Sequence, residues 1–241
     1  MKITILTLFP EMYDGFLKTS IIKRILDKKL CEIRLVDIRD YSFDKHRHVD
    51  DTPYGGGAGM LMKVDVLHNA LRNNSDDASY VLLTSPKAKP LKQDDLRRFS
   101  KMDDLVIVCG HYEGLDHRFE SYVDEKVSLG DYILTGGELP SMVLVDGILR
   151  LLDDGISPDS LLSESYDDGL LECPQYTRPY EYENMKVPEV LVNGNHKEIR
   201  RYNLKMALAE TRKYRSDLLE DRQFSDEEKI LMEELDDELQ G

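Results

Sequence analysis

Apolar residues follow two rhythms along this chain. Four short runs, "ITILTLF", "EIRLVDI", "YVLLTSP" and "DLVIVCG", place apolar side chains at successive positions between turn-forming residues. Runs of that length without polar alternation predict strands buried on both faces of a sheet. Between them lie helical stretches such as "GFLKTSIIKRILDKK", in which Phe16, Ile21 or Ile22, Ile25 and Leu26 share one face. Strand and helix in alternation over the first 150 residues predict an α/β domain with a parallel sheet. After Arg150 the rhythm lapses. The segment from Leu151 to Asn195 scatters proline, glycine and serine with little periodicity, and reads as a long linker with turns. Structureless stretches of that length are uncommon in compact domains and are often functional. A helix then resumes, with Asn195 as its N-cap and Glu198 three residues on, a variant of the capping box. Ile199, Tyr202, Met206 and Ala209 form its apolar face, and Lys197, Arg201, Lys205 and Arg212 a basic stripe on another.

Length and composition narrow the class. A chain of 241 residues holds one large or two modest domains with a proper core. No apolar run approaches the roughly 18 residues of a membrane span. The opening "MKITILTLFPEMYDG" reads as a first strand rather than a signal peptide, so a cytoplasmic protein is expected. Cys31, Cys109 and Cys173 are far apart with no CxxC, which argues against a disulfide framework and a zinc site. The close pair His46 and His48 reads as an exposed or RNA-facing loop rather than a metal site.

The net charge of −15 speaks against a nucleic-acid partner until its distribution is read. From Leu151 to Thr177 there are seven acidic residues and no basic one. From Asp217 onward there are eleven acidic residues against Arg222 and Lys229. The rest of the chain is close to neutral. Acidic tails are commonly solvated appendages, so trimming this one from Asp226 is expected to leave function intact. The segment Asn195 to Arg215 holds seven basic residues against two acidic ones. A cationic helix face is ordinarily just solvated; four aligned cations beside a linker also fit phosphate contact.

The glycines point to a ligand. "VSLGDYILTGGELP" carries Gly130, Gly136 and Gly137 among large apolar residues and no lysine or arginine. Glycine lets backbone approach a ligand closely. Neither GxxxxGK[ST] nor GxGxxG is present, so the ligand is not expected to be held by phosphates. Further glycine loops come in the middle of the chain, "PYGGGAGM", and late, "CGHYEG", whereas an ordinary dinucleotide domain places its ligand turn after the first strand. Two readings from other classes stay open on these residues. A non-catalytic RNA-binding α/β module would use the basic helix but leave the glycine loops idle. A nicotinamide oxidoreductase lacks its fingerprint.

Seven motifs in order, "LTLFPEM", "DDTPYGGGAGMLMK", "LLTSPKAKPL", "CGHYEGLDHR", "SLGDYILTGGELP", "DGLLECPQYTRP" and "VLVNGNHKEIRR", resemble the bacterial tRNA (guanine-N1)-methyltransferase family over all but the last twenty or so residues. Ala88 departs from the glycine many relatives carry there. The resemblance implies an α/β fold whose parallel sheet carries a deep trefoil knot, a rare exception to unthreaded chains, followed by a small, mainly helical C-terminal domain. The implied divisions are 1–158 for the knotted domain, 159–175 for a flexible linker and 176–241 for a tRNA-binding domain. It also implies S-adenosylmethionine as methyl donor, a magnesium requirement that no ligand set here places, and a homodimer with each active site shared between subunits. An uncharged loop suits a nucleoside without phosphates.

Carried over by position, the cofactor residues would be Leu83, Thr84, Ser85 and Pro86; Gly110, Tyr112, Glu113 and Gly114; and Ser128, Leu129, Gly130, Asp131, Tyr132, Ile133, Leu134, Gly136, Gly137 and Pro140. Methylating N1 of guanosine 37 requires a base for the N1 proton and relief of charge on O6. The family's residues for these roles fall on Asp168 and Arg150, the "DGLL" context selecting Asp168 over Asp167. The target base must also leave its stack to reach the pocket. Asp50 would read the neighbouring nucleotide, and Lys197, Arg201, Lys205 and Arg212 would contact tRNA. A knotted methyltransferase acting on another RNA is a subtler alternative.

Overall fold

The computed structural model describes residues 1–155, 164–166 and 168–240. The expected boundary at residue 158, the first part of the expected linker and Asp167 lie outside the described residues. The chain forms two compact units, Met1–Ile156 and Ser157–Gly241.

In the first unit the four expected strands are present as β1 (Lys2–Thr7), β2 (Glu32–Asp37), β5 (Tyr80–Thr84) and β6 (Asp104–Cys109). They join a fifth, β7 (Glu125–Val127), in a parallel sheet of order β2-β1-β6-β5-β7. A strand of three residues that opens on Glu and Lys carries too little pattern to be read in advance. A small hairpin, β3 (Asp50–Asp51) with β4 (Leu61–Met62), frames the Pro53–Met60 glycine loop. The successive apolar side chains of each strand serve opposite faces. Ile3, Ile5, Leu82, Leu105 and Ile107 pack with α2 (Ser20–Asp27), α4 (Gln93–Phe99) and α5 (Glu138–Leu149). Leu6, Val36, Val81, Leu83, Val106 and Val108 pack with α3 (Val64–Arg72). Three layers result, with the parallel sheet covered on both sides.

One expected helix is two. The stretch after Tyr13 forms α1 (Asp14–Leu17), breaks at Lys18 and Thr19, and restarts as α2. The Thr19 hydroxyl donates to the Gly15 carbonyl at 2.8 Å, and Ser20 takes φ +53°. A threonine hydroxyl bonded back to the preceding turn competes with the helical ladder. Ile22 and Ile25 still reach the core, as the apolar pattern requires.

Among its described residues the second unit holds a hairpin, β8 (Glu181–Tyr182) with β9 (Met185–Lys186), and two α-helices, α6 (His196–Tyr214) and α7 (Asp226–Gln240). Asn195 caps α6 by accepting from the Glu198 N–H at 3.4 Å. Glu198 does not return the bond. It accepts from Asn193 Nδ2 at 3.0 Å, and the Asn195 N–H donates to Asn193 Oδ1 at 2.8 Å.

The acidic tail is not an appendage. It is α7, and its Leu231 and Leu235 are buried with Leu170 and Leu208, flanked by Leu204, Ala207 and Ala209. The buried face of α6 therefore runs through Leu204, Leu208 and Thr211 rather than through Ile199, Tyr202 and Met206. Leu231 and Leu235, one turn apart, are buried among a majority of carboxylates, which is why composition misleads. Its start was written locally: Ser225-Asp226-Glu227-Glu228 is a complete capping box. The Glu228 N–H donates to Ser225 Oγ at 3.2 Å and the Ser225 N–H to Glu228 Oε2 at 2.7 Å.

The basic stripe faces this acidic helix. Arg201 pairs with Glu234, Lys205 with Glu234 at 3.1 Å and Glu238 at 2.7 Å, and Arg212 with Asp236 at 2.6 Å. Arg201 and Lys205 hold the Glu234 carboxyl below the usual range. Lys197, near the open end of α6, has no such pair among the described residues. Exposed pairs of this kind are worth about 0–1 kcal/mol each. Phosphates can therefore exchange for the carboxylates, but the stripe is not a bare cationic surface.

Candidate active site

The strands of a parallel sheet all end on one edge, and ligands of such sheets bind outside their carboxyl ends. Here a small cleft of about 80 Å³ lies at that edge, lined by Thr84, Ser85 and Pro86 after β5, by Val127, Ser128, Leu129, Gly130, Tyr132 and Leu134 from β7 onward, and by Gly136, Gly137 and Pro140 at the start of α5. No charged side chain lines it. The loops are tied through their backbones: the Ser85 N–H donates to the Val127 carbonyl at 2.9 Å, and the Gly137 N–H to the Gly110 carbonyl at 2.7 Å.

Glycine at 137 is required by this closeness. A Cβ there would lie 2.1 Å from Thr84 Oγ1, 2.7 Å from Cys109 Cα and 2.8 Å from the Gly110 nitrogen. Gly130, at φ +155°, would meet the Tyr132 ring at 2.9 Å. Under the cleft runs a buried polar network that the sequence does not announce, because its members are far apart in the chain. Glu138, 2% exposed, accepts from the Thr7 hydroxyl at 2.8 Å. Tyr13 OH meets Ser141 Oγ and, at 3.4 Å, Cys109 Sγ. Burial drives the Tyr13 phenol well above its ordinary value and the Cys109 thiol up to about 12. Cys109 is thus a neutral packing residue, not a nucleophile. His111 places Nδ1 3.9 Å from Glu138 Oε2 and pairs by an isolated antiparallel bridge with Gly136.

Not all the expected cofactor positions line this cleft. The Leu83 side chain lies in the core on the α3 side of the sheet. Asp131 and Ile133 are exposed. Gly110 joins through its carbonyl, but Tyr112, Glu113 and Gly114 lie toward the glycine-rich loop. The Glu113 N–H donates to the Met60 carbonyl at 3.1 Å, and a Cβ on Gly59 would strike Glu113 Cγ at 2.2 Å. The glycines of "PYGGGAGM" thereby let that loop lie on "CGHYEG". Asp50 is near enough to Tyr112 that burial and then its charge push the Tyr112 phenol upward. Arg150 follows the last turn of α5, its N–H donating to the Asp146 carbonyl at 3.1 Å.

Asp168 belongs to the second unit, on the rim of a separate cleft lined by Leu170, Leu171, Glu172, Cys173, Gln175, Arg200, Asn203 and Leu204. Its Oδ1 accepts from the Leu170 N–H at 3.1 Å and the carboxylate is exposed. Among the described residues no group of three or more His, Cys, Asp or Glu side chains is placed to hold a metal ion, and no helix is long and apolar enough to cross a membrane.

The sheet and the uncharged cleft at its edge define an α/β protein whose cleft is walled by glycine backbone, apolar groups and short polar side chains. The chain belongs to the tRNA (Guanine-1)-methyltransferase TrmD family, whose model matches residues 1–221. A protein of Syntrophomonas wolfei named tRNA (guanine-N(1)-)-methyltransferase is 49% identical over 98% of this chain and 97% of its own length. One of Fusobacterium nucleatum with the same name is 48% identical, with 98% of each chain covered. A third, of Mycoplasmopsis synoviae and also so named, is 48% identical over 91% of this chain but 97% of its own.

Proposed function

We propose that this chain is a tRNA (guanine-N1)-methyltransferase that places a methyl group from S-adenosylmethionine on N1 of guanosine 37, beside the anticodon. The observation that carries the reading is the uncharged, glycine-lined cleft at the carboxyl ends of β5 and β7 in a member of this family. It fits a nucleoside: backbone groups offer hydrogen bonds to adenine edges, Leu129 and Leu134 offer apolar contact, and there are no phosphates to neutralise. Thr84, Ser85, Ser128, Gly130, Gly136 and Gly137 would hold that part of the cofactor. Bound there, the cofactor supplies an electrophilic methyl group.

The chain's own groups handle the proton and the charge. Asp168 accepts the N1 proton of guanine as the new N–C bond forms, and the Arg150 guanidinium stabilises negative charge on O6. The two belong to different units of the chain, and on this reading they meet across a homodimer, one from each subunit. Exposed apolar side chains on and before α5, Ile133, Leu139 and Val143, support a dimer surface there. Closure of the 127–140 segment against the loop after β6 supports a knotted domain. Asp50 reads the nucleotide beside the target, and Lys197, with Arg201, Lys205 and Arg212 once they release their carboxylates, contacts tRNA phosphates. A cytoplasmic location follows from the substrate. Among the described residues no group of three or more His, Cys, Asp or Glu side chains is placed to hold magnesium.

Incubation with tRNA and methyl-labelled cofactor, followed by mapping of the modified nucleotide, tests the proposal: 1-methylguanosine at position 37 is expected. Label elsewhere would move the enzyme to another RNA site, and RNA binding without transfer would leave only a binding module. Gly137→Ala is expected to weaken S-adenosylmethionine binding about tenfold or more, since relieving an overpacked contact costs about 1–3 kcal/mol. Gly15→Ala, where an added Cβ meets nothing within 4 Å, is the control in the same titration.

A further inference from the structure

The base-bearing turn is held by the tail. Leu170, 2% exposed, is embedded with Leu208, Leu231 and Leu235. The Leu171 N–H donates to Thr211 Oγ1 of α6 at 2.8 Å. The Tyr166 N–H donates to the Leu170 carbonyl at 2.7 Å, closing the turn on itself. Gly169, at φ +82°, brings the backbone under a guanidinium: a Cβ there would lie 3.3 Å from Arg222 Nη1. That nitrogen donates to the Asp168 carbonyl at 2.6 Å. Arg222 is itself fixed by Glu228, with Nη2 and Nε at 2.6 and 3.2 Å from Oε1. The Arg222 and Glu228 side chains are only 17% and 8% exposed, whereas the carboxylates paired between α6 and the rest of α7 are all 35% exposed or more. Burial alone would raise the Glu228 carboxyl, but Arg222 and the Ser225 cap outweigh it and hold it below the usual range.

We propose that Arg222, oriented by Glu228, is a positioning residue that fixes the Asp168 turn so that the carboxylate is presented in one place. The inference rests on the assignment of Asp168 as base. It gives the start of the acidic helix a role in the reaction, although both residues lie beyond the stretch matched by the family model. A buried ion pair has the stiffness for this: removing one partner leaves a charge uncompensated, so the pair acts as a rigid clip rather than a loose surface contact. The Asp168 carbonyl held by Arg222 and the Leu171 amide held by Thr211 fix the chain immediately C-terminal to the carboxylate.

Arg222→Met keeps an unbranched apolar stem, shorter than arginine, and deletes its donors. Expected is a kcat about 10- to 100-fold lower at saturating tRNA, the scale of a misplaced catalytic group, with unchanged S-adenosylmethionine affinity. Arg222→Lys, which retains a donor, is expected to recover part of the rate. In an Asp168→Asn background Arg222→Met should add no further loss, because residues acting as one unit are not additive. Glu228→Gln keeps the cap, so the domain folds, and should lower kcat about three- to tenfold by loosening Arg222. Equal losses with and without Asp168, or full turnover in both Arg222→Met and Glu228→Gln, overturn the inference while leaving the base assignment in place. Full turnover of Asp168→Asn alone overturns the base assignment and this inference with it.

Discussion

Asp168→Asn is expected to lower methyl transfer at saturating tRNA about 100- to 10,000-fold, the usual contribution of a positioned general base, while S-adenosylmethionine affinity is unchanged. The substitution is chemically narrow. Asn retains the side-chain oxygen that accepts from the Leu170 N–H at 3.1 Å, so the turn keeps its internal bond. The Asp168 carbonyl remains available to Arg222. What disappears is a group able to take the N1 proton. The cleft proposed for the cofactor is lined by residues 84–140 of the other unit, so titration of S-adenosylmethionine separates a lost base from a lost site. Asp167→Asn beside it is the control, expected to retain the rate. Normal single-turnover kinetics in Asp168→Asn would end the assignment.

Ending the chain before Asp226 is expected to unfold the C-terminal unit and abolish methyl transfer, with cofactor binding retained. Magnitudes decide between this and a dispensable tail. Leu231 and Leu235 are 0% and 5% exposed. Removing a buried leucine costs about 2–5 kcal/mol, against a total stability of about 5–15 kcal/mol for a domain. The surface ion pairs of the same helix are worth about 0–1 kcal/mol each, so Glu238→Gln, at a side chain 63% exposed, is expected to change little. Hydrogen exchange at the amides of α6, read together with the transfer assay, checks the outcome. Protected α6 amides and an active truncated chain would refute the packing argument. Charge gives the tail its composition; two leucines give it its place.

The apolar rhythm along the chain was enough for the parallel sheet's four main strands: β1, β5 and β6 are buried on both faces and write themselves as apolar runs, while β2, at the sheet edge, interleaves its apolar residues with the exposed Glu32 and Arg34. It was not enough for β7, whose three residues gain their strand geometry from pairing with β5. The glycines of "VSLGDYILTGGELP" told of close backbone approach, and the cleft has Gly130, Gly136 and Gly137 in its wall. Which neighbours made them necessary, Thr84 and Cys109 among them, could not be read from the stretch itself.

By itself, then, the sequence determined the strands, the uncharged character of the ligand loop, the Asn195 cap and the family. These rest on local pattern or on ordered motifs, which survive in one dimension. Only the tertiary structure decided that the acidic end is a core helix, that three cations of the basic stripe already face carboxylates, and that Arg222 and Glu228 grip the turn of Asp168. Each of these joins residues more than twenty positions apart or sets burial against charge. Side chains acquire such partners when helices pack, since no periodicity records what lies across the interface.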